Sequence, residues 1–250
     1  MLRLDQALVE RGLCESREKA KRAVMAGEVR INDTVARKPS ESVKSDDEIT
    51  VAAPEKYVSR GGLKLEHALN HFHVEVGGAT ALDIGASTGG FTDCLLQRGA
   101  ARVYAIDTGQ GQLAWKLRHD RRVVVMEKVN ARHLTPANFP SPFVSGDLAV
   151  IDCSFISLRK ILPATVDLLR RPGKIVALIK PQFEAGKAEA DRGAGVITDP
   201  AVHDRVLNEL KEFVRTLPGW EWRGVTPSPI LGPAGNKEFL VLIENVSSED

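Results

Sequence analysis

The sequence has few cysteines, no long apolar run and no excess of one charge. Its three cysteines, Cys14, Cys94 and Cys153, lack the close pairing that a zinc site or a disulfide framework requires. Nowhere do about 18 apolar residues follow one another, and the N-terminus shows no apolar stretch behind a basic start. These absences argue against a metal site, secretion and membrane insertion, and they favour the reducing cytoplasm.

The overall charge of the chain is nearly balanced. Lys and Arg total 34 against 33 Asp and Glu, so the formal net charge of +1 does not by itself indicate a nucleic-acid partner. Any basic patch must come from local arrangement. The length of 250 residues lies between one and two domains, and 43% apolar content is ample for a packed core.

Residues 1–54 predict a small α+β domain. The expected elements are helices over 5–11 and 16–26 and strands over 29–31 and 48–51. Gly12 and Gly27 are typical helix stops, and the Ser16 side chain can accept from an otherwise unpaired helix amide. Residues 1–44 contain ten Lys or Arg against seven acids, a modest local excess.

The basic residues of this domain have two interpretations. Arg17, Lys21 and Arg22 lie close along the second helix, and with Arg30 on the next strand they would form one basic face for phosphates. The alternative is an ordinary solvated helix face, and spacing alone does not decide between the two.

A resemblance favours the first interpretation. The N-terminal pattern resembles the S4 RNA-binding domain over about residues 1–51. The residues that carry it are Leu4-Asp5, Leu8, Gly12, Ser16-Arg17, Ala20, Gly27, Val29 and Ile31-Asn32.

Residues 55–61 read as a linker, and residues 62–250 predict a second, larger α/β domain. Its strands are expected over 81–84, 102–106, 123–127, 148–151, 174–179, 220–226 and 239–243, with helices over 90–98, 111–117 and 158–169 and from Asp199-Pro200. Strands that alternate with helices predict a mainly parallel sheet covered on both faces. The last two strands have no long helix between them, so an antiparallel pair is expected.

A glycine-rich turn follows the first strand of this domain. Residues 83–91 end a strand and open a helix, so a nucleotide-like ligand can approach the backbone and face helix amides. The dinucleotide pattern G-x-G-x-x-G is absent because position 87 is Ser, which argues against a nicotinamide dehydrogenase. Asp83 points to a cationic ligand group. Asp107 ends the second strand, where an acid can accept from both ribose hydroxyls. The alternatives are that Asp83 merely caps the glycine turn and that Asp107 is a solvated strand end.

Four further ionisable residues are placed to meet beside this turn. Lys64 lies at a helix start, Asp152 and Lys180 end neighbouring strands, and Glu238 begins the last strand. Strand carboxyl ends are where such sheets bind ligands. For each lysine the alternative is a surface residue paired with a nearby acid.

The ordered set Lys64, Asp152, Lys180 and Glu238 resembles the K-D-K-E tetrad of FtsJ-like ribose 2′-O-methyltransferases. With the S4-like domain in front, the whole chain is similar to the TlyA, or haemolysin A, family of rRNA methyltransferases. The resemblance implies a class I, Rossmann-like fold with a seven-stranded sheet and S-adenosylmethionine as cofactor. It implies cofactor contacts from Asp83, Gly85, Ser87, Thr88, Gly89, Gly90, Phe91, Asp107 and Asn130, and RNA contacts from Arg3, Arg17, Lys21, Arg22, Arg30 and Arg60.

The implied chemistry needs a base, because a ribose hydroxyl is a poor nucleophile at neutral pH. Lys180 is the candidate, since burial and a second ammonium at Lys64 both favour its neutral form. Asp152 is expected to orient the lysine, and Glu238 to fix Lys64 or the ribose. Which lysine takes the proton stays open.

The segment from Asp152 to Phe155 bears on the acceptor atom. It lacks both prolines of the D-P-P-Y loop of amino methyltransferases, which favours oxygen over nitrogen as the acceptor. Phe155 either packs in the core or stacks on a base. Residues 184–196, with Lys187 and Arg192, either close over RNA or form a plain loop.

Family members without a basic N-terminal extension resemble enzymes of the large subunit, so the resemblance implies a cytidine of 23S rRNA as the target. The alternatives are a non-catalytic RNA-binding assembly factor and a membrane-lytic haemolysin, for which no sufficiently long segment is visible. The sequence does not set the oligomeric state, and a monomer is compatible with it.

Overall fold

The chain forms two compact units. A computed structural model describes residues 1–52, 55–186, 189, 193 and 195–245. Its units are Met1–Lys56 and Tyr57–Asp250. Within the described residues, the helices are all too short or too polar to cross a bilayer.

The first unit is a small α+β domain, as predicted. Its elements are β1 (Leu2–Arg3), α1 (Leu4–Glu10), α2 (Arg17–Met25), β2 (Val29–Ile31), β3 (Thr34–Val35), β4 (Ser42–Val43) and β5 (Ile49–Val51). Strands β3, β2 and β5 form one antiparallel sheet and β1 pairs with β4. The two-residue strands were not predicted, because so short a segment carries no readable alternation.

Local chemistry sets the ends of the two helices. Gly12 and Gly27 adopt φ values of +70° and +74°, where side chains other than glycine are strained. The Ser16 hydroxyl accepts from the Lys19 amide at 3.3 Å and so caps α2. The predicted stops and cap are therefore confirmed. The helices bury Leu4, Leu8 and other apolar residues against the short strands.

The second unit is a layered α/β domain. Its elements are α3 (Gly61–His71), β6 (Thr80–Ile84), α4 (Gly90–Gln97), β7 (Arg102–Ile106), α5 (Trp115–Arg118), β8 (Val123–Met126), β9 (Gly146–Ile151), α6 (Leu162–Val166), β10 (Leu169–Ile179), α7 (Pro181–Glu184), α8 (Pro200–Val214), β11 (Trp220–Pro227) and β12 (Phe239–Asn245). The seven-stranded sheet has the order β11-β12-β10-β9-β6-β7-β8. Strand β12 is antiparallel to both neighbours, and the pairs from β10 to β8 are parallel. The predicted mainly parallel sheet and its antiparallel end are confirmed.

The sheet buries both faces, which explains its apolar strands. One face packs Leu82, Ile106 and Ile151 in a core cluster, and the other packs Ala81 and Val150 in a second cluster. Because β6, β9 and β10 are parallel neighbours, their carboxyl ends meet at one edge of the sheet. That edge carries the candidate site.

Two predicted helices are shorter than expected. The segment 111–117 is helical only from Trp115, because Gly111 adopts φ +71°, which is not a helical conformation, and residues 111–114 are irregular. The segment 158–169 splits into a 3₁₀ turn, Leu158–Lys160, and α6. Pro163 explains the break, since a proline fits the first helical turn but not a helix interior.

Candidate active site

The glycine-rich turn joins β6 to α4 and lies against the end of β9. Gly85 adopts φ +87°, and a Cβ there would lie 2.6 Å from the Asp152 carbonyl oxygen. The amides of Gly85 and Ala86 donate to the Ile106 carbonyl at 2.8 and 3.1 Å. Only glycine permits this close approach, and it brings the turn beside Asp152.

Asp83 is completely buried behind the turn. Its Oδ2 accepts from the Thr92 hydroxyl at 2.5 Å, while Oδ1 has no hydrogen-bond partner among the described residues. Burial raises the pKa of Asp83 to about 7, aided by the Asp152 and Asp107 carboxylates and opposed by the Thr92 hydrogen bond. Asp83 lines neither cavity described below, so it would act on a ligand from behind the turn.

Asp107 lies at the end of β7 beside a cavity of about 340 Å³. Its Oδ2 accepts from the Ser87 amide at 2.8 Å and its Oδ1 from the Gly109 amide at 2.7 Å. Asn130 lines the same cavity, and its Oδ1 accepts from the Arg132 amide at 3.1 Å. A carboxylate offers about four acceptor positions, so Asp107 can still accept from a ligand.

Lys180 and Asp152 form an ion pair where β10 and β9 end. Lys180 Nζ lies 2.6 Å from Asp152 Oδ1 and donates to the Ser154 hydroxyl at 2.9 Å. The Lys180 side chain is 11% exposed. The amine is therefore held by two partners. Ser154 was not among the predicted site residues.

Lys64 and Glu238 form a second, more deeply buried pair. Lys64 Nζ donates to Glu238 Oε2 at 2.5 Å, and the two side chains are 8% and 1% exposed. A Cβ at Gly232 would lie 2.5 Å from Glu238 Oε1, so a bare backbone covers the carboxylate. Of the two expected partners of Glu238, a ribose or Lys64, the structure pairs it with Lys64.

Both pairs line one cavity of about 660 Å³. The tetrad residues Lys64, Asp152, Lys180 and Glu238 are thus brought together. Gly85, Asp152 and Phe155 also line the neighbouring cavity, so the two spaces adjoin. Other lining residues that the sequence predicted are Arg60, Ser87, Thr88, Gly90 and Phe91. Gly89 and Asp83 do not line it.

Phe155 stands at the rim of this cavity. Its side chain is 89% exposed, and its ring lies 5.0 Å from that of Phe183 between centroids. Core packing is therefore wrong for Phe155, and the exposed ring is free for a ligand. Phe183 was missed, although its position three residues after Lys180 is a readable signal.

Glu184 connects the segment that follows Lys180 to the segment that follows Asp152 through hydrogen bonds. It lies in α7, and it accepts from the Ser157 hydroxyl at 2.6 Å and from the Leu158 amide at 2.8 Å. Burial raises the pKa of Glu184, against these hydrogen bonds and the nearby Arg159. These contacts of Glu184 were not predicted, because its partners lie 26 and 27 positions away along the chain.

We expect Glu184→Ala to destabilise the protein by about 1–3 kcal/mol, because the Leu158 amide loses its acceptor. Glu184→Gln should remain close to wild type, since its oxygen can accept from Leu158 and its amide can donate to Ser157. Urea unfolding of the three proteins checks this. Equal stability of the alanine and glutamine variants would contradict the expectation.

Asn236 anchors the segment before α8, and the sequence did not single it out. It is 2% exposed; its Oδ1 accepts from the Ile197 amide at 2.9 Å and its Nδ2 donates to the Gly195 carbonyl at 2.8 Å.

Lys187 and Arg192, expected in a loop over RNA, lie outside the described residues.

The cations predicted for RNA contact in the first unit are exposed, and some have fixed partners. Arg3 and Arg17 reach the fully buried Asp5 at 3.1 and 3.0 Å, with their side chains still 47% and 51% exposed. Hydrogen bonds from both arginines outweigh burial and lower the pKa of Asp5 to about 2. Arg30 donates to the Asp33 carbonyl at 2.6 Å, and Lys21 and Arg22 are exposed on α2.

Comparison with known proteins matches both units. The FtsJ-like methyltransferase family matches residues 57–245 and the S4 domain matches residues 2–49. "Putative rRNA methyltransferase YqxC" of Bacillus subtilis is 52% identical over 96% of this chain and 84% of its own length. "16S/23S rRNA (cytidine-2'-O)-methyltransferase TlyA" of Mycobacterium tuberculosis is 47% identical over 96% and 88%.

A solved structure agrees over almost the whole chain. A protein of Streptococcus thermophilus, described as a "putative hemolysin", has 45% identity and a TM-score of 0.74, covering 99% of this chain and 89% of its own. The family model spans most of the chain and two relatives exceed 45% identity over nearly its full length. The chain therefore belongs to the TlyA family of FtsJ-like methyltransferases, which carry an S4 domain at the N-terminal end.

Proposed function

We propose that this protein transfers a methyl group from S-adenosylmethionine to the 2′-hydroxyl of a cytidine in ribosomal RNA, with the 23S rRNA as substrate. The observation that carries the proposal is the cavity lined by two lysine–carboxylate pairs beside the glycine turn. The name of the M. tuberculosis relative supports the nucleotide and the RNA class. An rRNA substrate also favours the cytoplasm as its location.

The two adjoining cavities fit a nucleoside joined to an amino acid. Asp107 and Asn130 would hold the adenosine part in the smaller cavity, with the Asp107 carboxylate accepting from the ribose hydroxyls. The Asp83 oxygen without a partner supplies negative charge behind the turn for a cationic group. When bound, S-adenosylmethionine supplies an electrophilic methyl group on a positively charged sulfur.

Lys180 is the proposed base. Once it has given up a proton, the Lys180 amine would accept the proton of the ribose 2′-hydroxyl as the hydroxyl oxygen attacks the methyl group. Asp152 at 2.6 Å and Ser154 at 2.9 Å fix the position of the amine. Holding the 2′-hydroxyl oxygen in line with the methyl group lowers the activation barrier, because the reactants then have little rotational and translational freedom left to lose.

Lys64 and Glu238 are proposed to position the ribose. The buried carboxylate balances the Lys64 ammonium, so a second lysine can share the cavity without a large unpaired charge. The remaining Lys64 protons can donate to a ribose oxygen. Lys64 therefore orients the substrate, and Lys180 takes the proton.

The RNA would be held by an aromatic ring and a cation that line this cavity and by further cations in the first unit. Phe155 offers an exposed face for the target base, because every base has a face that stacks on an aromatic ring. Arg60 lines the cavity and can meet a phosphate. The exposed cations of the S4 domain would supply affinity that does not depend on sequence.

Transfer of labelled methyl groups tests the proposal. Ribosomal subunits and free rRNA that lack the modification are incubated with the protein and labelled S-adenosylmethionine, and the label is mapped by resistance to alkaline hydrolysis. Labelled ribose at a cytidine of the large subunit is the expected result. Label on a base, or no transfer to any RNA despite cofactor binding, would overturn it.

The raised pKa of Asp83 gives a pH dependence for cofactor binding. Because its pKa is about 7, the carboxyl is mostly neutral at pH 6 and mostly charged at pH 8. The affinity for the cationic cofactor should therefore rise with pH, by about tenfold between these values. Calorimetric titration of wild type and Asp83→Asn checks this, because the variant removes only the Asp83 contribution. Parallel pH curves for the two proteins would contradict it.

A further inference from the structure

Trp115 is a large apolar side chain left on the surface. It begins the short helix α5 and is 74% exposed. The His119 ring lies 4.2 Å from the indole between centroids, at 32° between the planes. His119 therefore supports one side of the indole, and the other side faces solvent.

The chain neighbours of Trp115 contact residues in or near the lining of the reaction cavity. The Ala114 amide donates to the carbonyl of Thr88, a cavity-lining residue, at 3.1 Å. On the other side of Trp115, Lys116 Nζ lies 2.9 Å from Asp93 Oδ2, which also accepts from the Val58 amide at 2.9 Å. Val58 precedes the cavity-lining Arg60 by two residues. The residues on either side of Trp115 are thus anchored to the glycine turn and, through Asp93, to the segment that leads to Arg60.

The surrounding segment is cationic although the chain as a whole is nearly neutral. Residues 109–133 contain six Lys or Arg and two acids, a net charge of +4, against +1 for the entire chain. Lys116 remains 57% exposed in its ion pair, and Lys128 and Arg132 are exposed. An exposed aromatic ring in a chain segment with surplus cations complements a single-stranded nucleic acid, whose bases stack and whose phosphates are negative.

We propose that Trp115 and Lys116 form a second nucleotide-binding subsite, which stacks an unpaired base of the RNA next to the target nucleotide. The inference rests on the proposed function and adds to it a named contact outside the reaction cavity. Phe155 would hold the target base and Trp115 a neighbouring one, so the enzyme grips two positions of a strand that has left its duplex. Single-stranded RNA is therefore the form that this surface selects.

The test compares wild type, Trp115→Ala and Trp115→Phe, with Val144→Ala as a control that also removes an exposed apolar side chain from this unit. Binding of a single-stranded large-subunit rRNA fragment is measured by fluorescence anisotropy, and methyl transfer gives KM and kcat. Trp115→Ala should raise the Kd and the KM for RNA about tenfold and leave kcat and S-adenosylmethionine affinity unchanged. Trp115→Phe should recover most of the loss, and Val144→Ala should show none.

RNA affinity and KM unchanged in Trp115→Ala would overturn the subsite. A loss of kcat or of cofactor affinity would also overturn it, since the indole would then support the glycine turn instead. Weaker RNA binding in Trp115→Ala, together with no methyl transfer by wild type, would sustain the subsite and reject the proposed function. The part of the indole fluorescence that Trp115→Phe removes would, if it responded to protein concentration but not to RNA, assign the ring to contact between copies and overturn the subsite.

Discussion

Lys180→Ala is expected to lower kcat for methyl transfer by about 10²- to 10⁴-fold, the usual contribution of a positioned base. The variant loses the amine that lies 2.6 Å from Asp152 and 2.9 Å from Ser154. Cofactor binding should persist, because the glycine turn and Asp107 are untouched. Single-turnover transfer with saturating cofactor and RNA measures the effect on the chemical step.

Two further variants separate the base from its surroundings. Lys180→Arg keeps a cation but cannot accept a proton, so it should be nearly as inactive as the alanine variant. Lys174→Ala is the matched control, because Lys174 lies on the same strand and pairs with Glu244 at 2.5 Å away from the cavity. Full activity in Lys180→Ala, or equal losses in Lys180→Ala and Lys174→Ala, would exclude Lys180 as the base.

Glu238→Ala should have the largest effect on stability, about 3–5 kcal/mol, because it leaves the Lys64 ammonium buried without its partner. The two side chains are 8% and 1% exposed, so solvent compensates little of the Lys64 charge once the carboxylate is lost. Urea unfolding of the full chain, followed by circular dichroism, measures the loss. Methyl transfer should be lost as well.

Replacing the whole pair separates stability from function. Lys64→Met with Glu238→Leu removes both charges and keeps apolar volume, so most of the stability should return while transfer stays lost. Glu244→Ala is the control, since its partners Lys174 and Arg223 are exposed and the expected cost is about 0–1 kcal/mol. A double variant as unstable as Glu238→Ala would show that the unpaired ammonium is not the cause.

Local signals sufficed for much of the fold. Gly12, Gly27 and Ser16 mark helix ends by backbone freedom and by side-chain capping, which act within a few residues. The alternation of apolar strands with helices along the chain was enough to predict the mainly parallel sheet. Prediction was less accurate where two local signals compete, as at Pro163, which divides an otherwise apolar helical segment.

The polar residues at the strand ends were recognisable from local pattern: Asp83 is the penultimate residue of β6, and Asp107, Asp152 and Lys180 directly follow β7, β9 and β10. The partners of the site residues, in contrast, depend on how distant parts of the chain pack together. Lys64 and Glu238 are 174 positions apart and meet because α3 and β12 pack together, and Glu184 reaches Ser157 across two loops. Burial behaves likewise: Asp83 is enclosed and Trp115 exposed by packing that no local pattern records. Hydrogen bonds and burial depend on distances through space, and a sequence orders residues only along the chain.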